Sequence, residues 1–177
     1  MNFDLFVLNF WNEFKKIFCY YTGLRFIASK LIKPWRKYNC ITDISINEIK
    51  SIIKNNKIKV IIVDMDGTLK HRKIGLLDEN KKWISSVKKI ANVFIISNAN
   101  ERRTSEIANQ LDVPYVHLAK KPSKKGFCKI LRNKKVKPKE CVMIGDALVA
   151  DIYGAKRVGI EKTILVKDLN IFYNELK

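Results

Sequence analysis

At 177 residues and 47% hydrophobic content, the chain is long enough for one ordinary domain plus an appendage, and too apolar to be read as disordered. Thirty-five Lys and Arg against seventeen Asp and Glu give a net charge of +18, a surface that concentrates phospholipid headgroups, nucleic acid or phosphorylated metabolites without choosing among them. Four cysteines without a CxxC spacing point to a reducing compartment rather than a disulfide framework, and two histidines are too few for a histidine-rich metal site.

Residues 1–33 differ from the rest. Phe3, Phe6, Val7, Phe10, Phe14, Ile17, Phe18 and Tyr21 recur at helical spacing with Asp4, Glu13, Lys15 and Lys16 off the stripe, which predicts an aromatic amphipathic helix. Thr22-Gly23 breaks it, and Leu24, Ile27, Ala28, Leu31 and Ile32 suggest a second short helix ending at Pro34. No window reaches the uncharged apolar length of a membrane span, and the start lacks the basic region of a signal peptide. With Trp11, Arg25, Lys30 and Lys33, the segment suits the interface of an anionic bilayer, or equally a packing surface on its own domain or another subunit. The expected division is 1–38 as this amphipathic segment and 39–177 as the main domain.

From residue 39 the apolar runs are short and rich in Val and Ile: residues 58–64, 92–97, 114–119, 141–145 and 163–166. They predict strands buried on both faces of a parallel sheet. Helical stretches fall between them, starting near Asp78 with Trp83, Val87 and Ile90 inward, and near Asn100, Ser123 and Asp146, each with a plausible capping residue. Strand and helix in alternation predict a doubly wound, Rossmann-like α/β domain.

Ligands of such folds bind beyond the carboxyl ends of the strands. Asp64 and Asp66 follow the first of these runs, Ser97 and Asn98 the second, Lys121 the third, Asp146 and Asp151 the fourth. Each has a plain alternative: a polar turn at Asp66-Gly67 with Thr68 bonding local backbone, a helix cap at Ser97-Asn98, one lysine among many fixed by a first-turn Pro122, and a cap and a solvent-facing residue at Asp146 and Asp151. His71 reads as an exposed turn residue. Convergence favours a divalent-cation and phosphate site: hard oxygen donors and few histidines select magnesium over zinc, with Asp64, Asp66, Asp146 and Asp151 as candidate ligands. Asp64 is then the expected nucleophile, forming an aspartyl-phosphate. Asp66 protonates the leaving alkoxide and deprotonates water, while Thr68, Ser97, Asn98 and Lys121 contact the phosphate.

The ordered motifs DMDGT, SN, the lysine of KKP and GDALVAD resemble those of the haloacid dehalogenase superfamily, and Asp66 resembles its phosphatase branch. PWRKYNCITDI, VDMDGTL, LDVPYVHLAKKPSKKGF and MIGDALVADIYGAKRVGI further resemble subfamily IIIA, the group of YqeG-type proteins and the yeast mitochondrial phosphatidylglycerophosphate phosphatase. Gly67 and Ala99 depart from that group, whose members usually carry Asn at both places. The resemblance implies conversion of phosphatidylglycerophosphate to phosphatidylglycerol. The short connections leave no room for a cap domain, and a capless site suits a large or surface-bound substrate. The expected setting is cytoplasmic and peripheral to a membrane, on the matrix or stromal side in an organelle. Alternatives are a phosphatase for nucleic-acid ends, nucleotides or phosphoproteins, and a non-catalytic module that binds anionic membranes or RNA.

Overall fold

The computed structural model describes residues 32–175. The helices expected within residues 1–31, with most of the proposed membrane segment, lie outside the described residues. A compact unit starts at Pro34, five residues before the expected boundary at 39, because Arg36–Tyr38 forms the edge strand β1. Three residues with two charges carry no alternating pattern, so this strand is set by its pairing with a later one.

A 3-10 turn, Ile41–Asp43, leads into α1, Ile46–Asn56. Helix α1 was not anticipated, although Ser45 caps it by accepting a hydrogen bond from the Glu48 N–H at 3.1 Å, and its buried Ile49 and Ile52 stand at helical spacing. The central strand β2, Val60–Asp64, is followed by a small hairpin of β3, Lys70–His71, and β4, Gly75–Leu76. Next come α2, Asp78–Val87, β5, Asn92–Ile96, α3, Glu101–Leu111, and β6, Tyr115–Val116. The chain continues through α4, Lys124–Lys134, and β7, Cys141–Gly145, to a π-helical turn, Leu148–Tyr153, that runs into α5, Gly154–Lys156. Strand β8, Lys162–Val166, and α6, Leu169–Glu175, complete it.

The six-stranded sheet has the order β1-β8-β7-β2-β5-β6, and all its pairings are parallel. Every residue of β2 and β7 is buried, as expected of strands covered on both faces. Successive β2 side chains serve opposite layers. Ile61 and Val63 join Ile49 and Ile52 of α1, Trp83 and Ile84 of α2 and Ile107 of α3, whereas Val60 and Ile62 join Phe127 and Ile130 of α4 and Ala155 of α5. Trp83 is fixed by donating its Nε1–H to the Ile44 carbonyl at 2.7 Å. The chain winds outward from β2 through β5 and β6, then returns to the other side of β2 as β7. The winding reverses between β2 and β7, which opens the sheet edge to a ligand there.

Candidate active site

Asp64 is the last residue of β2, and Val63 pairs with Ile144, so Asp64 is level with Gly145 across the reversal point. The strand stops because the backbone folds back at once: the N–H groups of Leu69 and Lys70 both donate to the Met65 carbonyl, at 3.0 and 2.9 Å, and Gly67 takes φ +88°. This turn separates the two carboxylates that an extended chain would place on one face. Asp64 is buried and accepts from Lys121 Nζ. Asp66 is half-exposed and pairs through Oδ1 with Arg103 Nη2 at 2.8 Å. Each acid therefore has its own cation, where one metal and Lys121 were expected to serve both.

Lys121 Nζ also donates to Asp151 Oδ1 at 2.5 Å, and Asp151 is fully buried. The π turn after β7 carries Asp151 back beneath Gly145, with its Oδ2 accepting the Ala147 N–H at 3.0 Å. A Cβ on Gly145 would overlap the Asp151 carboxylate, so glycine is needed there for the approach. Asp146 does not cap a helix. It accepts the hydroxyl of Thr68, expected at the phosphate, at 3.0 Å, which makes Thr68 a holder of Asp146. Gly67 is the matching concession on the other loop, since a Cβ there would lie 2.6 Å from Asp146 Oδ2.

One carboxylate oxygen from each of Asp64, Asp146 and Asp151 lies within 4.8 Å of the others. Three carboxylates against one ammonium leave two negative charges uncompensated when all are ionised. Burial pushes the Asp64 carboxyl well above the usual range; Lys121 opposes that shift, while Asp151 and Asp146 add to it. Burial, Asp151 and Asp168 likewise raise Asp146 to about 6, although the Thr68 hydrogen bond works against it. Burial alone would lower the Lys121 pKa, but Asp64 and Asp151 outweigh it and keep the ammonium charged. Three hard oxygens with a deficit of two charges fit a small divalent cation such as magnesium. The Asp66 carboxylate, expected among the ligands, is outside this group and held by Arg103 instead.

Ser97 is buried after β5, its Oγ accepting the Ala99 N–H at 3.0 Å while its own hydrogen remains to donate. It does not cap α3; Asn100 does, accepting from the Arg103 N–H at 3.1 Å. Asn98, expected at the substrate, is engaged by the main chain of Lys121: its Oδ1 accepts the Lys121 N–H at 2.7 Å and its Nδ2 donates to the Lys121 carbonyl at 3.1 Å. That reciprocal pair fixes the lysine. Pro122 contributes differently from expectation, because α4 starts at Lys124 with Ser123 as its cap, placing the proline before the helix.

Two supporting residues, Asn80 and Arg103, carried little signal in the sequence, and a third, His71, differs from its expected exposure. Asn80 is buried on α2 and donates to the Leu69 carbonyl at 2.9 Å, anchoring the turn after β2; the signal was an amide inside the stripe of Trp83, Ile84 and Val87. Arg103 could be suspected only from its place in the first turn after β5. His71 is buried rather than exposed, because its Nδ1 accepts the N–H groups of Lys73 and Ile74, both at 3.2 Å, and closes the hairpin turn.

A parallel α/β fold with a buried acid cluster at its reversal point and a lysine between two of the acids defines a hydrolase suited to phosphoryl chemistry. A family described as haloacid dehalogenase-like hydrolase matches residues 72–159. The sequence is 36% identical over 116 residues to "Probable phosphatase YqeG" of Bacillus subtilis, covering 64% of this chain and 67% of that protein. It is also 48% identical over 61 residues to the glyceraldehyde 3-phosphate phosphatase of Pyrococcus furiosus, a match that spans 32% of this chain and a quarter, 25%, of that relative. In fold it is similar to the 3-deoxy-D-manno-octulosonate 8-phosphate phosphatase of Yersinia pestis, with TM-score 0.52 and 14% identity over 71% of this chain and 81% of that one. An uncharacterized protein from Listeria monocytogenes serotype 4b gives TM-score 0.53 at 16% identity, covering 67% of this chain and 97% of that one. The chain belongs to the haloacid dehalogenase-like hydrolase family, within which its named sequence relatives are phosphatases.

Proposed function

We propose that this phosphatase removes the terminal phosphate of an anionic phospholipid, phosphatidylglycerophosphate, to leave phosphatidylglycerol. The observation that carries the chemistry is the buried group of Asp64, Asp146 and Asp151 beside Lys121, opening at the half-exposed Asp66–Arg103 pair. A divalent cation held by the three carboxylates would offset the negative charge of the transferring phosphoryl group. An Asp64 oxygen bonds to phosphorus as the bond from phosphorus to the alcohol oxygen breaks, and Asp66 gives that oxygen its proton. Water then bonds to phosphorus, Asp66 takes its proton, and the bond to Asp64 breaks, releasing phosphate. Lys121 and the Ser97 hydroxyl hold phosphoryl oxygens, Thr68 orients Asp146, and Asn98 orients Lys121.

The lipid assignment draws support from the +18 charge, the aromatic and basic composition of residues 1–33, and the motif resemblance that includes YqeG-type proteins. Connections filled by core elements add to it: β3, β4, α2 and β5 occupy the stretch between Thr68 and Ser97. Among the described residues no helix is long and apolar enough to cross a membrane. A second reading, a small phosphorylated metabolite, follows from the name of the Pyrococcus furiosus relative. Magnesium-dependent phosphate release from phosphatidylglycerophosphate in mixed micelles, beside glyceraldehyde 3-phosphate and with D64N protein as the blank, separates the two. Faster release from the lipid is expected; release from the soluble ester alone would overturn the lipid assignment.

A further inference from the structure

Among the described residues the exposed large hydrophobics are Ile74, Leu118, Tyr153 and Ile171. Scattered singly, such residues need no explanation. These are not scattered: each lies in the segment that leaves the carboxyl end of a sheet strand, Ile74 in the β3–β4 hairpin turn that follows β2, Leu118 just after β6, Tyr153 at the end of the π turn after β7 and Ile171 in α6 after β8.

The segments bearing Ile74, Leu118 and Ile171 are tied by their backbones to the catalytic loops or to one another. The Leu118 N–H donates to the Ala99 carbonyl at 2.9 Å, directly after the Ser97-Asn98 pair. The Leu169 N–H of α6 donates to the Gly67 carbonyl at 2.8 Å, and the Arg72 N–H donates to Asn170 Oδ1 at 2.7 Å, so Ile171 and the hairpin bearing Ile74 are joined. Leu118 is doubly unusual, being 56% exposed and held at φ +43°. A branched apolar side chain in the left-handed region and in water is costly on both counts, a combination associated with functional surfaces.

Charge beside apolarity narrows the occupant. Exposed Arg72 and Lys73 precede Ile74, and exposed Lys120 follows Leu118. Apolar tips beside cationic side chains match the acyl boundary and headgroups of an anionic bilayer. We infer that this strand-end rim, with Ile74 and Leu118 as its leading apolar contacts, docks the catalytic domain on an anionic phospholipid surface with the site facing the headgroups. The inference rests on the lipid reading for its choice of occupant and extends it from residues 1–33 to the domain itself.

The test places a fluorescent reporter on the full chain by Ile74→Trp and, separately, by Ile171→Trp. Lys139→Trp, at the amino end of β7, is the control. Each variant is mixed with phosphatidylcholine vesicles, with or without phosphatidylglycerol, carrying brominated acyl chains, and the unsubstituted protein's emission is subtracted. The expected result is a blue shift and loss of the added emission at Ile74→Trp and Ile171→Trp on phosphatidylglycerol vesicles, with the control unchanged. Vesicle-bound protein whose rim reporters remain in water would overturn the inference, as would failure to bind. A reporter shift that needs only high protein concentration and no vesicles would also overturn it, by making the occupant a second copy of the chain. Quenched rim reporters on a protein that releases no phosphate from phosphatidylglycerophosphate would uphold docking and sink the substrate assignment. Hydrolysis in micelles with wet reporters would do the reverse.

Discussion

The two ends of the sheet obey different rules. At the amino end, surface charges sit in simple pairs, Lys59 with Glu140 at 2.7 Å and Lys88 with Asp112 at 2.8 Å. The non-glycine residues with positive φ there, Lys57, Asp112 and Lys135, are the caps of α1, α3 and α4, a routine use of that conformation. At the carboxyl end three acids crowd around one buried lysine, apolar side chains face water, and Leu118 and Lys120 take positive φ without ending a helix. One end is consistent across local and global levels; the other breaks local rules repeatedly. Such departures concentrate where function is built.

The sharpest way to break this contrast is Asp64→Asn. Loss of the nucleophile should lower turnover by about a thousandfold or more. The metal-free variant should nevertheless melt no lower than wild type, because it removes a carboxylate whose charged form burial disfavours. Retained turnover with phosphate esters would remove Asp64 from the chemistry.

Gly67→Ala tests the close approach of the two loops. Its Cβ would meet Asp146 Oδ2 at 2.6 Å in a backbone with φ +88°, so kcat/KM should fall by about a hundredfold through displacement of Asp146. Lys121→Met tests charge balance instead. It leaves Asp64 and Asp151 buried without their cation and should cost about 3 kcal/mol in urea unfolding at neutral pH without metal.

Proton linkage separates the ends more gently. With Asp64 and Asp146 raised, the metal-free folded protein holds protons that the unfolded chain has already lost, so it loses stability as pH rises from the ordinary carboxylate range, 3.8, through about 6. A divalent cation competes with those protons. Magnesium should therefore raise the melting temperature little at about pH 5 and substantially above pH 7. A pH-independent magnesium effect would place the ion elsewhere. The smallest effect belongs to the amino end: Asp112→Asn breaks the exposed pair with Lys88 but keeps a residue suited to the left-handed cap, and should leave the melting temperature near wild type at neutral pH.

Legibility in the sequence followed the same divide. Buried strands such as β2, β7 and, beyond its exposed Asn92, β5 announce themselves as Val and Ile runs, and the acids at the ends of β2 and β7 could be placed by the strand-end rule alone. Edges were harder. Strand β1 carries Arg36 and Lys37 and exists through its register with β8, while β3 and β4 are two residues each and depend on His71 to close their turn. The lateral partners of the site were also hidden. Arg103 meets Asp66 across 37 positions and Asn98 meets Lys121 across 23, contacts that only the tertiary fold creates. Spacing placed Asp146 and Asp151 near the site as candidate ligands, and their plain alternatives fail: Asp146 is a Thr68 acceptor rather than a helical cap, and Asp151 is a fully buried partner of Lys121 rather than a solvent-facing residue.

The most direct test of the central claim is acid quenching during turnover of a phosphate-labelled substrate, followed by mapping of the labelled peptide. The label should reside on Asp64 and accumulate in Asp66→Asn protein, where the water-activating carboxylate is gone. A label on another residue, or turnover in both proteins with no labelled peptide at any quench time, would contradict an aspartyl-phosphate formed at the end of β2.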